Sequence, residues 1–143
     1  MGIRASLTVI SRETFDECVQ GGEPDLKGDS YFIDKAWHDF YDVFKSKGDP
    51  LCRVITGDFL HPGHAVTFEE FCEGEELYVG FMSPELVQRI AAVLTNLSHA
   101  QLQTWYEEEN VGGYDIEFSL FESLKAAYMQ ASQSGDAVLI SIC

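Results

Sequence analysis

The residues best suited to chemistry lie in the stretch IDKAWHDFYDVF, which runs from Ile33 to Phe44. Asp34, His38 and Asp42 are spaced four apart, and this spacing predicts that they share one flank of a helix. A carboxylate one helical turn from an imidazole can fix which ring nitrogen carries the proton, which is half of a general-base arrangement. No nucleophile or metal ligand completes it in the sequence. A solvated helix face explains the same spacing and is the more frequent case.

A second pattern, HPGH, places His61 and His64 three residues apart in a Pro-Gly turn. Two imidazoles could bind Zn²⁺ together with Cys52, Cys72 or nearby acids. The pair lacks the helical geometry of an H-E-x-x-H motif, and no third ligand stands at a telling distance. The pattern therefore favours a polar turn, and we expect neither a bound metal nor a cofactor.

Acidic residues dominate the charge of the chain, with 24 Asp and Glu against nine Lys and Arg and a formal net charge of −15. This balance argues against nucleic acid and anionic lipid as partners, because both need a basic surface. A basic protein would instead be attracted. The runs EEFCEGEE (69–76) and EEEN (107–110) lack the spacing of a calcium-binding loop and are typical of a solvated surface. They are where a cationic partner would bind.

Several signatures are missing from the sequence. It contains no G-x-S-x-G nucleophile motif, no P-loop and no dinucleotide-binding glycine motif. Four widely spaced cysteines without a C-x-x-C pair indicate free thiols in a reducing compartment. No apolar run has the length of a membrane span. We therefore expect a cytoplasmic protein without membrane attachment.

Hydrophobic periodicity and capping residues predict the elements that must position these side chains. In the first half of the chain the predicted elements are a strand over 3–9, a helix over 12–20, a helix over 33–44, and short strands over 51–56, 65–68 and 77–81. In the second half they are helices over 84–96, 98–105 and 114–134 and a buried strand over 137–142. Within the 33–44 helix, Trp37, Phe40, Tyr41 and Phe44 form one apolar stripe, which predicts that Trp37 lies in the core.

Together these elements predict one α+β domain spanning residues 1–143. The expected architecture is a small mixed β-sheet that includes both terminal strands and packs against about four to five helices. The order and spacing of DKAWHDFYDVF, SPELVQRIAAVL and FESLKAAYMQASQSGDAVLISI resemble the YfbM-like family of small bacterial proteins. The resemblance implies a single α+β domain of the bacterial cytoplasm and brings no established activity, substrate or cofactor.

Two functional hypotheses follow from the sequence. The first is a non-enzymatic protein-binding module, inhibitor-like or immunity-like, whose acidic surface at Glu69, Glu70 and 107–109 engages a basic partner. The alternative is a hydrolase-like enzyme acting on a small molecule, with His38 as acid–base residue. That alternative predicts that His38 faces a cleft. Nothing in the sequence specifies the oligomeric state.

Overall fold

A five-stranded antiparallel sheet contains the strands at both ends of the chain. The computed structural model describes residues 3–63 and 65–143. The strands are β1 (Ala5–Ile10), β2 (Ser30–Asp34), β3 (Phe59–Leu60), β4 (Tyr78–Met82) and β5 (Ala137–Ile142). Their order in the sheet is β2-β1-β5-β4-β3. The α+β class is confirmed, and all pairings between these strands are antiparallel where a mixed sheet was expected.

Six helices occur in the part of the chain that the structure describes. They are α1 (Arg12–Val19), α2 (Trp37–Phe44), α3 (Phe68–Cys72), α4 (Pro84–Asn96), α5 (His99–Glu108) and α6 (Tyr114–Ser134). Five of them have eight residues or more, in keeping with the expected four to five. None of these helices is long and apolar enough to cross a membrane.

The core is divided by the sheet into a large and a small cluster of apolar side chains. On one face, alternate residues of the central strands, such as Leu7 and Ile140, pack with α2, α4 and α6. On the other face, Phe15 and Cys18 of α1 pack against Phe81 of β4. Burial on both faces explains why β5 reads as a nearly continuous apolar run.

Helix termini agree with the capping signals in the sequence. Ser11 caps α1 and Ser83 caps α4, each through a side-chain oxygen that accepts a backbone N–H of the first turn. Gly135 ends α6 in the left-handed conformation that suits glycine. These local signals fix where the long helices begin and end.

The predicted helix over 33–44 is wrong in its first turn. Residues Ser30–Asp34 form β2, paired with β1, and Asp34 takes a positive φ of 51° that turns the chain. The helix therefore begins only at Trp37. Trp37 itself is buried with 7% exposure, so its predicted place in the core is confirmed.

Two predicted strands are also wrong. Within 51–56 the chain forms a 3₁₀ turn at Leu51–Arg53, where local bonds such as Val54 N–H to the Leu51 carbonyl satisfy the backbone. Within 65–68, Thr67 starts α3 with a capping box, because its hydroxyl accepts the Glu70 N–H and the Glu70 carboxylate accepts the Thr67 N–H. On the side of β4 away from β5, the strand that pairs with it is the two-residue β3.

Candidate functional site

His38 and Asp42 form the predicted imidazole–carboxylate pair on α2. The His38 Nδ1 atom lies 3.3 Å from Asp42 Oδ2, one helical turn away. The other oxygen of Asp42 accepts a hydrogen bond of 3.2 Å from Lys45 Nζ. The carboxylate is therefore held by two neighbours on its own helix flank, and it can orient the imidazole.

Asp34 does not join this pair. Because it ends β2 and turns the chain, its side chain is not on the flank of α2. Its Oδ1 atom instead lies 3.0 Å from Arg4 Nε in an exposed ion pair. The expected trio on one helix flank is thus a pair, His38 and Asp42.

His38 lies at the edge of a surface groove of about 650 Å³. The floor contains the buried rings of Trp37 and Phe71, whose centroids are 5.8 Å apart. Ile3 and the terminal Cys143 contribute to the walls. The His38 side chain remains 61% exposed, so it belongs to the rim of the groove and not to its interior. The enzyme hypothesis predicts that His38 faces a cleft, and the structure places it on the rim of this groove.

The groove has an acidic side, formed by α3 and the loop that follows it. We call the exposed Glu69, Glu73, Glu75 and Glu76 the α3 acidic surface; Glu75 and Glu76 line the groove directly. Among the described residues, none of these four carboxylates lies within ion-pair distance of a basic side chain. The fifth carboxylate of the run, Glu70, is used internally in the capping box.

The second acidic run differs, because a lysine partly neutralises it. The Lys47 Nζ atom lies 3.7 Å from Glu108 Oε1 and 3.8 Å from Glu109 Oε2. The same ammonium stands 5.1 Å from the centre of the Trp105 ring, in a cation–π contact. The run at the end of α5 is therefore partly paired, whereas the α3 acidic surface is not.

Two thiols line the groove, Cys72 and Cys143. Burial raises the pKa of the Cys72 thiol, and the carboxylates of Glu69 and Asp42 raise it further. A raised pKa disfavours the thiolate, which is the nucleophilic form. The surroundings of Cys72 therefore do not activate it for covalent catalysis.

Among the described residues, a possible metal-ligand cluster is formed by His38, Asp39 and Asp42, whose ligand atoms lie within 4.8 Å of one another. These are all solvent-accessible, and a metal would compete with Lys45 for the Asp42 carboxylate. His61, from the HPGH turn, accepts a hydrogen bond of 2.9 Å from the Gly63 N–H through Nδ1 and stacks on a core ring. These contacts fit the polar-turn interpretation, and His64 lies outside the described residues.

A cluster around Glu117 was not anticipated from the sequence. The hydroxyl of buried Tyr106 donates a hydrogen bond of 2.9 Å to Glu117 Oε1. Burial and a hydrogen bond with the Asp39 carboxylate raise the pKa of Glu117 to about 7, against an ordinary value of 4.5. The three side chains come from α2, α5 and α6, so no local motif could indicate their meeting.

His99 also acquires partners that no motif signals. Its Nε2 atom lies 2.6 Å from Glu122 Oε1, and its Nδ1 atom lies 3.3 Å from the Tyr114 hydroxyl. That hydroxyl donates to the His99 carbonyl at 2.9 Å. The arrangement fastens the start of α5 to α6, which is a structural role.

The fold and groove define a small α+β protein whose antiparallel sheet carries both chain ends. The chain belongs to the family described as Domain of unknown function (DUF1877), whose model matches residues 1–141. It is similar to the crystal structure of YfbM from Escherichia coli, a protein of unknown function. The identity is 17%, the TM-score 0.62, and the match covers 98% of this chain and 99% of that chain. At this identity the likeness shows the fold alone. A search among curated proteins found no match.

Proposed function

We propose that this protein is a non-enzymatic protein-binding module, inhibitor-like or immunity-like, that engages a basic protein partner. The observation that carries this proposal is the α3 acidic surface: four exposed carboxylates without basic partners in the described structure, beside an apolar groove. Protein interfaces commonly combine an apolar centre with a polar and charged rim. The net charge of −15 would in addition accelerate encounter with a cationic partner.

The proposal requires carboxylates that are not already paired with a cation. By this criterion the α3 acidic surface is better suited to a basic partner than residues 107–109. Glu69, in α3, and Glu73, directly after it, are one helical turn apart and repel each other while no cation is near. A basic partner would relieve this repulsion. Glu108 and Glu109 already have Lys47, so a partner gains less from them. We therefore expect the α3 acidic surface to contribute more to binding than residues 107–109.

The test is capture from an extract of the source organism, followed by reconstitution of the captured basic protein with the purified chain. Charge reversal by Glu69→Lys with Glu75→Lys should weaken binding at least tenfold in calorimetry at 100 mM salt, and binding of the original chain should weaken as salt rises. Glu17→Lys with Glu23→Lys, at two exposed positions near the end of α1, is the control matched in total charge. Reversal of Glu107, Glu108 and Glu109 should have a smaller effect.

Two results would contradict the proposal. The first is unchanged binding after reversal of every exposed carboxylate tested in both acidic runs. The second is a partner that binds equally well at high salt. Glu70 is left out of the series, because its carboxylate belongs to the capping box and its reversal would also destabilise α3.

A second candidate function, a hydrolase-like enzyme for a small molecule, is favoured by one observation. His38 stands on the rim of a 650 Å³ groove and is oriented by Asp42, as a residue that activates water would be. In a hydrolase substrate screen, His38→Ala should abolish any activity found and Asp42→Asn should reduce it. Gln133→Ala changes an exposed polar residue on α6, away from the groove, and should leave the activity unchanged. Full activity in His38→Ala would exclude this mechanism.

A further inference from the structure

The geometry of the groove points to the kind of partner segment that it receives. We infer that it holds one large apolar side chain of the partner while basic residues next to that side chain pair with Glu75 and Glu76. This inference rests on the proposed function and adds to it the anchoring element of the partner. It assigns the groove itself a role in recognition, in addition to the charged surface beside it.

The floor of the groove is suited to an apolar side chain. Trp37 has one polar hydrogen, and its Nε1–H already donates to the Ile3 carbonyl at 3.0 Å. Phe71 and the 44%-exposed Ile3 add apolar surface around it. A ligand group reaching this floor would therefore find apolar contact and no free donor from the indole. Aromatic-lined pockets of this kind hold the anchor residues of many interfaces.

The wall beside the chain end is held in place before any partner binds. Arg4 and Cys143 exchange two backbone hydrogen bonds, of 2.8 Å and 2.9 Å, at the end of the pairing between β1 and β5. The opposite wall belongs to α3, which is fixed by the rings of Phe68 and Phe71 against Trp37. A groove with fixed walls loses little conformational freedom when it is filled, which favours binding.

The volume and the charges define the occupant further. A groove of about 650 Å³ is larger than one side chain needs and can also take the neighbouring backbone of an extended segment. The carboxylates of Glu75 and Glu76 on its rim make cations the favoured neighbours of the anchor. On the other rim stands His38, and the carboxylate next to it, Asp42, is already engaged by His38 and Lys45. The basic residues of the partner should therefore lie on the side of the loop after α3.

The test uses defined peptides and the indole N–H of Trp37 as reporter in ¹H–¹⁵N NMR spectra. The probes are acetyl-Gly-Arg-Leu-Arg-Gly-amide, the same peptide with Ala in place of Leu, and the same peptide with Glu in place of both Arg. The leucine peptide should shift the Trp37 signal in a saturable manner. The alanine peptide should bind at least tenfold more weakly, and the glutamate peptide should not bind. Equal affinity of the leucine and alanine peptides would overturn the inference.

Two variants separate the groove from the charged surface. Cys143→Phe adds a ring at the exposed wall and should abolish the leucine-peptide shift, whereas Gln133→Phe adds the same ring at an exposed site on α6 and should not. Partner binding that Glu69→Lys with Glu75→Lys weakens but Cys143→Phe leaves unchanged would overturn the inference and support the proposed function. Partner binding that is insensitive to Glu69→Lys with Glu75→Lys would contradict both the proposed function and the pairing with Glu75 that the inference assigns. A dimer in sedimentation that Cys143→Phe disrupts would assign the groove to a second copy and overturn the inference.

Discussion

Replacement of Glu117 by Gln is expected to stabilise the protein above neutral pH and to have little effect below pH 5. The pKa of Glu117 is raised to about 7 because the carboxyl is partly buried and hydrogen-bonds the Asp39 carboxylate; the Tyr106 hydroxyl acts in the opposite direction. Between its ordinary pKa of 4.5 and about 7, the folded state binds a proton that the unfolded state has released. The free energy of unfolding that this group contributes is therefore greatest below pH 4.5 and is lost as the pH rises through about 7.

The size of the effect follows from the same shift in the pKa of Glu117. For an isolated group, a change in pKa from 4.5 to about 7 corresponds to about 3 kcal/mol. Partial exposure and screening reduce this to about 1–2 kcal/mol. In Glu117→Gln, the new amide would still accept the Tyr106 hydrogen bond, and it can donate to Asp39 without carrying a charge.

Urea denaturation between pH 5 and pH 8.5 measures this effect directly. The variant should gain about 1–2 kcal/mol over the original protein at pH 8 and almost nothing at pH 5. Glu107→Gln removes one exposed carboxylate from α5 and serves as the control for total charge. A carboxyl pKa near 4.5 for Glu117 by ¹³C NMR, or identical pH profiles for the two variants, would refute the reasoning.

Two further predictions concern the core and a helix cap. Tyr128→Phe should lower the free energy of unfolding by about 1–3 kcal/mol in urea denaturation, because it removes the buried 2.6 Å hydrogen bond to the Val54 carbonyl and leaves that carbonyl without its partner. An unchanged midpoint would show that water replaces the hydroxyl. Ser83→Ala should lower the free energy of unfolding by about 1–2 kcal/mol, because Ser83 Oγ accepts the Leu86 N–H at 3.2 Å and donates to Asp58 at 2.6 Å. Ser98→Ala removes only a helix cap and should cause a smaller loss in thermal denaturation. Equal losses in the two variants would contradict a role for Asp58.

The elements that were predicted correctly are those whose signals are local. Ser83 followed by Pro84 marks the start of α4, and Gly135 marks the end of α6. The 33–44 stretch was only partly predictable, because the pairing of Ser30–Asp34 with β1 depends on residues more than twenty positions away. A helical apolar stripe does not reveal where strand pairing ends, and so Asp34 was assigned to the wrong element.

The candidate site shows the same division between local and distant contacts. The His38–Asp42 pair is a contact between residues one helical turn apart, and the sequence predicts it. The groove beside it joins Ile3, Glu75 and Cys143, which lie at three distant points of the chain. The sheet brings the first and the last of these together, because Arg4, next to Ile3, pairs with Cys143 at the end of β1 and β5. No spacing rule could have placed His38 beside a groove.

The five-residue helix α3 decides how the acidic run over 69–76 functions. An isolated helix this short is unstable in water, so packing must hold it. Phe68 and Phe71 supply that packing, since their rings lie 5.3 Å and 6.0 Å from the ring of Tyr78. Glu70 closes the capping box, which leaves the remaining carboxylates of the run without a structural task. An acidic run that forms only a solvated loop would display its charges on a mobile backbone. Here Glu69 stands on the packed helix and Glu73 follows it directly, so charge reversal at these positions tests recognition on a backbone that packing holds in place.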